Sequence, residues 1–548
     1  MLQFRLILLV ALSLVIPMSR DAFAQLVPVA STQPELPVEV EARQSTPATS
    51  DKVHYGALPM NSGSDAAKAA LPTDNSGSIT VAPPLKALTT APVLGAAFEG
   101  IPDTGSAPAN PNIAVGPNKI LQVVSGGLRV IDRFAVNPDT TISLNAVFGV
   151  PAGSTGLLDP LCVYDHFADR FAVLCSARNV AGTDGWYVLA VTKSPFPMAD
   201  PATWSVYYIR NDTVMPNNTD TATYGDYARL GFDNTSFYIT SNQYNSANVF
   251  QYAKIRVYRK SEVYGKKPLS VLEFNDVRDA TGARAFGIQP AITFGTPGTE
   301  YFVSCPPATG NAITVYSFVG GVLPRITLRS IPANSWTTPL PAYQKVTGPR
   351  VETGDARLQG AVFRNNRLYT VHAVRRGTFP CAAHYIGVNT TNLTKSLDLT
   401  IGSPSVYYYY PALTVTPGGN IGTVFNFSSL TRFPGIMYTQ IVPTGTGTIL
   451  TPAVLREGQG NYFRTNPVNG LAVWGRYSGI AIDPSSPDRI WFNAAYTTSS
   501  PFSWGTYVGS TSLFGGLQTN TVQDAGTALR DQLLDWAKTT PVFGPTLP

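Results

Sequence analysis

The amino-acid sequence predicts an all-β protein, a seven-bladed β-propeller with a disordered N-terminal leader and a short C-terminal helix. The first observation is composition: 13% of the 548 residues are charged, while 47 Gly, 45 Pro, 26 Tyr and 26 Phe indicate short strands joined by many turns. The second is a hairpin pattern that recurs along the chain. The low charge argues against a coiled coil, a charge-driven disordered chain or a nucleic-acid binder.

The first 24 residues have the three parts of a signal peptide. Arg5 is followed by an apolar run over residues 6–18 and by an A-x-A pattern at residues 22–24. The run is shorter than the roughly 20 apolar residues that span a bilayer. We therefore expect cleavage near Ala24 and a secreted or periplasmic product with no membrane span. The net charge of +5 is too small to indicate nucleic acid or an anionic membrane as a partner.

The two ends of the mature chain differ in character. Residues 25–95 combine Pro with Ala, Ser and Thr without a sustained period, which predicts a flexible or extended leader with His54 exposed. Residues 515–548 form the tail, where Asp524 is placed to cap a short helix. The apolar face of that helix consists of Leu529, Leu533 and Trp536.

An apolar stretch, a turn and a second apolar stretch recur seven times over residues 96–514. The intervals range from 50 to 67 residues, which suits four-stranded blades with long loops. A two-sheet sandwich array or a right-handed β-helix is the structural alternative, and the irregular spacing argues against the helix. The repeats are anchored at Ile113, Val163, Leu230, Ile292, Leu358, Leu413 and Ile480.

Several of these repeats carry short motifs: RLQGAVF at residues 357–363, WGRYSG at 474–479, WGTY at 504–507, DPLCVYD at 159–165 and DYARLG at 226–231. Over residues 110–510 the chain resembles a family of bacterial secreted β-propellers, sialidase-like in shape but without Asp-boxes. That family typically has RLQNAV, WGDYS, WGTW, DPRVxYD and DYPRLG at these places. The resemblance implies the propeller fold. Because the family is largely without assigned function, the resemblance implies no reaction, and Arg476 stands where the family usually has Asp.

The four cysteines favour disulfides in an exported chain. Cys162 and Cys175 are equidistant from a turn centred between residues 168 and 169, so an antiparallel hairpin would place them opposite each other. Cys305 and Cys381 would then pair by elimination. Buried thiols are the alternative. Metal ligation is disfavoured because no C-x-x-C pattern or His cluster is present.

Histidine-based chemistry is hard to assemble from four histidines. His372 follows a predicted strand and is a candidate general base or ligand contact, although a structural histidine is favoured because no partner motif accompanies it. No G-x-S-x-G, Walker or H-E-x-x-H pattern occurs. Calcium is conceivable at the Asp-containing turns of residues 233–234 and 483–488, but without a D-x-D-x-D-G loop no cofactor is predicted.

A set of polar residues lies near the starts of the predicted innermost strands, which a propeller brings together at its axis. The arginines suit a carboxylate or sulfate, and the carboxylates suit acid or base roles in glycoside cleavage. The alternative is that Arg–Asp pairs join neighbouring blades. The candidate acids or bases are Asp226, Asp355 and Glu457, and the candidate anion contacts are Arg229, Arg357 and Arg476.

Aromatic side chains add a second candidate surface. Residues 407–410 are four consecutive tyrosines, and exposed rings such as that of Tyr410 would bind sugars, although alternate rings of a strand belong to the core. The sequence therefore predicts an exported propeller that binds an extracellular polymer or surface glycan through one face of the ring. A glycan-active hydrolase or lyase at the same axial site is one alternative. A protein-interaction scaffold is the other.

Overall fold

The computed structural model describes residues 91–133, 140–214, 219–345 and 348–513, together with two short strands at residues 25–26 and 29–30. The predicted signal peptide, most of the leader with His54, and the predicted C-terminal helix lie outside the described residues. No helix in the described part of the chain has the length and apolarity needed to cross a membrane.

The described residues form antiparallel sheets, most of them four-stranded meanders. The chain begins with β1 (Gln25–Leu26), β2 (Val29–Ala30) and β3 (Leu94–Pro102). One sheet then contains β4 (Asn112–Val115), β5 (Lys119–Val124), β6 (Gly127–Asp132) and β7 (Ile142–Ser143), and is followed by helix α1 (Leu144–Phe148). The next contains β8 (Leu158–Asp165), β9 (Arg170–Arg178), β10 (Gly185–Thr192) and β11 (Trp204–Arg210), with a 3-10 turn at Pro201–Thr203.

A two-stranded ribbon and a large sheet follow. The ribbon is formed by β12 (Thr213–Val214) and β13 (Thr219–Asp220). The meander after it contains β14 (Thr223–Phe232), β15 (Ser236–Asn245), β16 (Phe250–Arg259) and β17 (Val271–Phe274), with helix α2 (Lys260–Val263). The next strands are β18 (Gln289–Pro290), β19 (Ile292–Thr293), β20 (Glu300–Ser304), β21 (Gly310–Val319) and β22 (Arg325–Trp336).

The last strands complete the ring. A further meander contains β23 (Ala361–Arg364), β24 (Arg367–Arg376), β25 (Phe379–Asn389) and β26 (Thr394–Ile401). It is followed by β27 (Tyr407–Val415), β28 (Ile421–Ser429), β29 (Arg432–Val442), β30 (Thr448–Ile449) and β31 (Ala453–Arg456). The final strands are β32 (Gly479–Ile482), β33 (Arg489–Thr497) and β34 (Trp504–Ser512).

The first strands of successive meanders contact one another around a closed ring. Strand β4 contacts β8, β8 contacts β14, and the series continues through β18 and β19, β23, β27 and β32 back to β4. Strand β3 pairs with β34, so residues from the two ends of the ring share one sheet. This pairing closes the ring, and closure leaves few exposed sheet edges.

Alternating side chains of each strand enter different apolar clusters, which explains why the sheets stack side by side. In β9, Phe171, Val173 and Cys175 pack with residues of the β4–β7 sheet. The intervening Ala172 and Leu174 pack with residues of the β14–β17 meander. Because the side-chain period of a strand is two, a strand buried on both faces joins two neighbouring sheets.

The ring of sheets confirms the predicted all-β propeller class. Six of the seven predicted hairpins pair as expected, from β4–β5 to β32–β33. The fourth differs: β18 pairs with β20, while β19 pairs in parallel with β14 and β23 and joins their meanders into a ten-stranded sheet. The count of seven blades is not confirmed, since the described strands form six sheets of four or more strands.

The predicted disulfides are wrong, because all four cysteines are buried, unbridged thiols. In the β8–β9 hairpin, Cys162 lies opposite Val173 rather than Cys175, and the register shifts between Leu158 and Leu161. The turn is therefore centred one residue earlier than the symmetry of the cysteines implied. Cys305 and Cys381 lie in different apolar clusters.

Candidate functional site

The inner strands surround a cavity of about 130 Å³ on the axis of the ring. Its walls come from every inner strand or the residues next to it, which is the arrangement expected at a propeller axis. Polar lining side chains include Arg229, Gln289, Gln359, Tyr477 and Ser478.

A group of buried polar side chains lies where the inner strands begin; we call it the axial cluster. Its members interact electrostatically with one another. All of them except Arg476 are at most 8% exposed, and the side chain of Arg476 is 11% exposed. The axial cluster consists of Asp159, Asp226, Arg229, Glu352, Asp355, Arg357, Tyr410, Arg476 and Tyr477.

Local backbone irregularities turn these side chains inward. Asp159, Tyr227 and Tyr410 have φ values of 49°, 54° and 50°, in the left-handed region that non-glycine residues seldom adopt. Each lies where an inner strand shifts register with the second strand of its meander. Such bulges re-aim side chains and are frequent beside functional sites. Three inner strands therefore use the same device at the same end of the ring.

Arg229 lies at the centre of the axial cluster and lines the cavity. Its guanidinium carbon lies 3.9 Å from the ring centroids of both Tyr227 and Tyr477, so two aromatic rings hold it by cation–π contacts. Its Nε and Nη2 atoms are buried and have no hydrogen-bond partner among the described protein groups. A guanidinium always carries charge, so these buried donors beside the cavity retain unused hydrogen-bonding capacity.

Asp159 and Asp226 form a buried carboxylate pair. Burial and the charge of Asp226 raise the pKa of Asp159 to about 7, although Arg476 and Arg229 oppose the shift. Burial also raises the pKa of Asp226, against a backbone hydrogen bond and the nearby arginines. Two neighbouring carboxylates in a poorly solvated place do not both ionise readily. One member of the pair therefore holds a proton close to neutral pH.

The other two arginines have carboxylate partners of their own. Arg357 donates two hydrogen bonds to Asp355, of 2.7 and 2.6 Å, and lies over the ring of Tyr227. Arg476 Nη2 is 3.7 Å from Glu352 Oε2, and its backbone N–H donates to Asn110, which also donates to Asp159. These ion pairs fit the alternative in which charged residues join neighbouring sheets.

Three further side chains of the cluster have unused hydrogen-bonding capacity. Both carboxylate oxygens of Glu352 and the hydroxyls of Tyr410 and Tyr477 are buried without a hydrogen-bond partner in the described part of the chain. Buried polar groups are nearly always paired, so such a concentration indicates a ligand, ion or water position.

Three sequence-predicted site residues lie away from the axial cluster or differ in exposure. Glu457 is exposed after β31, an outer strand, where it forms an ion pair with Arg432. His372 is buried between neighbouring sheets and contacts the backbone of Ala356. The tyrosines of residues 407–410 are all buried, so they form no exposed platform; in β27 their rings fill the space between sheets. The structure does bring together Asp226, Arg229, Asp355, Arg357, Arg476 and Tyr410.

Sequence reasoning missed Asp159, Glu352 and Tyr477. Asp159 and Tyr477 belong to the DPLCVYD and WGRYSG motifs, so the resemblance contained a signal for both. Glu352 precedes Asp355 and Arg357 in the same loop. The sequence gives no local pattern that singles it out.

The turns considered for calcium use their carboxylates internally. Asp233 accepts hydrogen bonds from the backbone of Thr235 and Ser236 and from the hydroxyl of Tyr238. Asp483 accepts two from Arg133 and one from the Trp491 ring. Within the described ranges, no group of three or more His, Cys, Asp or Glu side chains is placed to hold a metal ion.

Comparisons with solved structures return matches of low sequence identity and low TM-score. No family model matches the chain, and no curated protein matches it. A protein of unknown function from Dyadobacter fermentans is 11% identical, over 74% of this chain and 95% of that one, with a TM-score of 0.36. A Trypanosoma rangeli sialidase in complex with sialic acid is 10% identical over 72% of this chain and 59% of its own, with a TM-score of 0.35. A Penicillium chrysogenum α-L-arabinanase complexed with arabinobiose is 12% identical over 56% of this chain and 96% of its own, with a TM-score of 0.29.

Proposed function

We propose that this protein is an exported propeller that binds a carboxylate-bearing glycan at the axial cluster. The observation that carries the proposal is Arg229: a buried guanidinium at the cavity wall, held between two tyrosine rings, with Nε and Nη2 unpaired among the described residues. An arginine with adjacent unused donors binds a carboxylate through two parallel hydrogen bonds. The hydroxyl of Tyr477 supplies a further donor beside it.

The size of the cavity limits how the glycan binds. At about 130 Å³ it is smaller than the roughly 300–1,000 Å³ of ordinary ligand pockets. A charged group therefore enters the cavity, while the rest of the sugar chain lies on the face of the ring. Polymers of uronic or sialic acids have this form.

Together with Arg178, which interacts with the carboxylate pair from outside the cluster, the axial cluster has a positive charge balance when Asp159 is protonated. The four arginines nearest the pair, Arg178, Arg229, Arg357 and Arg476, then face the carboxylates of Asp226, Glu352 and Asp355. Because burial and Asp226 raise the pKa of Asp159 to about 7, the positive balance grows as the pH falls through neutrality. Binding should tighten over the same range.

The test compares polygalacturonate with its fully methyl-esterified form, alongside alginate and polysialic acid. We expect saturable binding of at least one acidic polymer and none of the ester, which lacks the carboxylate. Equal binding of the acid and ester forms, or no binding of any acidic polymer, contradicts the proposal. In the second case, a protein partner becomes the better explanation, and a pull-down from the producing cells tests it.

The carboxylate pair favours a second candidate function, cleavage of the bound glycan. Asp159 with a pKa of about 7 is suited to donate a proton to a leaving oxygen, and Asp226 is its charged neighbour. Shortening of a bound polymer by the wild-type protein, abolished in both Asp159→Asn and Asp226→Asn, would establish this activity. Binding without any shortening would leave the protein as a binding module.

A further inference from the structure

Two histidines and an aspartate form a continuous chain between the axial cluster and the outer strand β26. His372 Nδ1 lies 2.7 Å from the carbonyl oxygen of Ala356, and His372 Nε2 lies 2.9 Å from His384 Nδ1. His384 Nε2 lies 2.8 Å from Asp398 Oδ1. The two histidines are opposite each other in the β24–β25 pair and are fully buried. Ala356 lies between Asp355 and Arg357, and we call residues 355–357 the axial turn. The chain of hydrogen bonds therefore ends on the axial turn.

The number of hydrogens in this chain is set by its two ends. A backbone carbonyl and an ionised carboxylate only accept, so each of the three contacts needs one hydrogen from an imidazole. Two neutral imidazoles carry two hydrogens in total. The chain is therefore complete only when it holds one additional proton.

Asp398 is the ionised end of the chain. Its carboxylate accepts hydrogen bonds from the backbone N–H of Asn334 at 2.8 Å and from Lys395 at 2.9 Å, in addition to the contact with His384. Burial raises its pKa, but the hydrogen bond from His384 and the other donors outweigh burial and hold the pKa well below its usual range. The extra proton consequently belongs to the histidine pair.

We propose that His372, His384 and Asp398 form a proton-operated strut: when the pair takes up one proton, His372 Nδ1–H binds the carbonyl of Ala356 and fixes the Asp355–Arg357 turn. The proton from solvent adds to His372 Nδ1, the hydrogen on His372 Nε2 passes to His384 Nδ1, and no bond between heavy atoms changes. His384 becomes the imidazolium and donates to both Asp398 and His372 Nε2, while His372 then carries its hydrogen on Nδ1. Without the proton, His384 donates only to Asp398, His372 Nε2–H donates to His384, and the Ala356 contact lacks its hydrogen.

The surroundings set the pH range of the strut. Burial lowers the pKa of His384, against the pull of Asp398, and burial lowers that of His372 to about 3. Uptake therefore occurs below the ordinary histidine pKa of about 6.5, and His384 receives the charge. The other titratable or charged groups facing the pair are Arg376 and Lys395, which oppose the charge, Cys305, whose Sγ lies 3.8 Å from His372 Nδ1, and Asp355 and Arg357 beyond Ala356.

Asp398→Asn is the variant that separates a strut from a passive buried pair. The side-chain amide that this substitution introduces would donate an N–H to His384 Nε2. The Asn334 side-chain amide, which donates to Asp398 Oδ1 in the wild type, would turn its oxygen toward the new amide. His384 Nδ1–H would then donate to His372, and His372 Nδ1–H to Ala356. All three contacts are then satisfied without an additional proton. The variant should hold the strut in its complete state at every pH, whereas loss of a merely structural carboxylate would weaken the turn.

The experiment is histidine-selective nitrogen NMR of the full chain and of Asp398→Asn, from about pH 7.5 to about pH 4, a range that covers histidine titration. We expect wild-type His372 to carry its hydrogen on Nε2 at the neutral end and on Nδ1 at the acid end, and Asp398→Asn to carry it on Nδ1 throughout. His166, in the β8–β9 turn, serves as the internal control. A wild-type His372 that keeps one tautomer over the whole range overturns the proposal, and this readout does not depend on folding of the variant.

A second arm, which rests on the proposed function, measures polygalacturonate binding. The ratio of the wild-type Kd to the Asp398→Asn Kd should approach one at the acid end and rise roughly two- to tenfold at neutral pH, the fold-change of one hydrogen bond. The titration of Asp159 is common to both proteins and cancels in the ratio. A flat ratio together with the expected NMR result refutes the link to the axial turn. Absence of binding by both proteins refutes the proposed function and leaves the NMR result standing.

Discussion

Replacing Asp159 by Asn tests the electrostatics of the axial cluster most sharply. Burial and Asp226 raise the pKa of Asp159 from 3.8 to about 7 in the folded protein. Below about pH 4 the carboxyl of Asp159 is protonated in both the folded and the unfolded states, and between about pH 4 and about pH 7 it is protonated only in the folded state. Above about pH 7 it is ionised in both states, and the folded state then contains a poorly solvated charge. The folded state therefore loses stability as the pH rises from about 4 to about 7. Three pKa units correspond to about 4 kcal/mol.

The assay is urea denaturation of both proteins at several pH values. The free energy of unfolding of Asp159→Asn minus that of wild type should grow by about 4 kcal/mol between about pH 4 and about pH 8. Asn tolerates the left-handed backbone at this position and still accepts the hydrogen bond from Asn110. The exposed Asp488→Asn serves as the control and should give a flat difference. A flat difference for Asp159→Asn would refute the assignment of the buried carboxylate pair.

Three further predictions concern the ring itself. Gly479→Ala should lower the free energy of unfolding by about 1–3 kcal/mol, because a Cβ there would lie 2.6 Å from the backbone nitrogen of Ile113. The control Gly360→Ala, whose Cβ meets nothing within 4 Å, should change the free energy of unfolding by less than about 0.5 kcal/mol. Equal effects of the two substitutions would contradict the close contact of β32 with β4. Glu273→Gln should lower the free energy of unfolding, measured by urea denaturation, by about 3–5 kcal/mol, because it leaves the buried Arg256 and Lys254 without the Glu273 carboxylate. A loss under about 1 kcal/mol would contradict the burial of these ion pairs. Ellman's reagent should titrate four thiols in guanidinium without reductant, and two or none would restore the disulfides that the sequence predicted.

Much of the fold can be predicted from local sequence pattern. The remaining parts depend on long-range contacts, which leave no local signal in the sequence. The hairpins were predictable because each places two apolar runs next to each other across a short turn, as in β14–β15 and β27–β28. The closing strand β3 was not, since its partner β34 lies some four hundred residues later and nothing local marks the pairing. The Cys162–Cys175 bridge failed because the turn is centred one residue earlier than the spacing of the cysteines implies, which places Cys162 opposite Val173.

The candidate site divides in the same way. Asp226, Arg229, Arg357 and Arg476 meet because the inner strands of a propeller all begin at one end of the ring. Glu457 does not join them, because it follows an outer strand. The role of Asp159 depends on a left-handed backbone residue at a bulge, and the chain of His372 to Asp398 depends on strand register between β24, β25 and β26. Neither has a signature in composition or spacing.

The most direct test of the central claim is calorimetric titration of polygalacturonate into wild type, Arg229→Lys and Arg325→Gln. Lys retains the charge at position 229 but loses the paired donors, whereas Arg325 is exposed on the outer strand β22 and serves as the control. Tyr477→Phe, which keeps the ring against Arg229, provides a second variant if the first fails to fold. The account predicts roughly tenfold or greater weakening for Arg229→Lys, as expected for a lost charge-assisted hydrogen bond, and none for Arg325→Gln. Equal affinity of all the proteins would contradict recognition of a carboxylate at the axis.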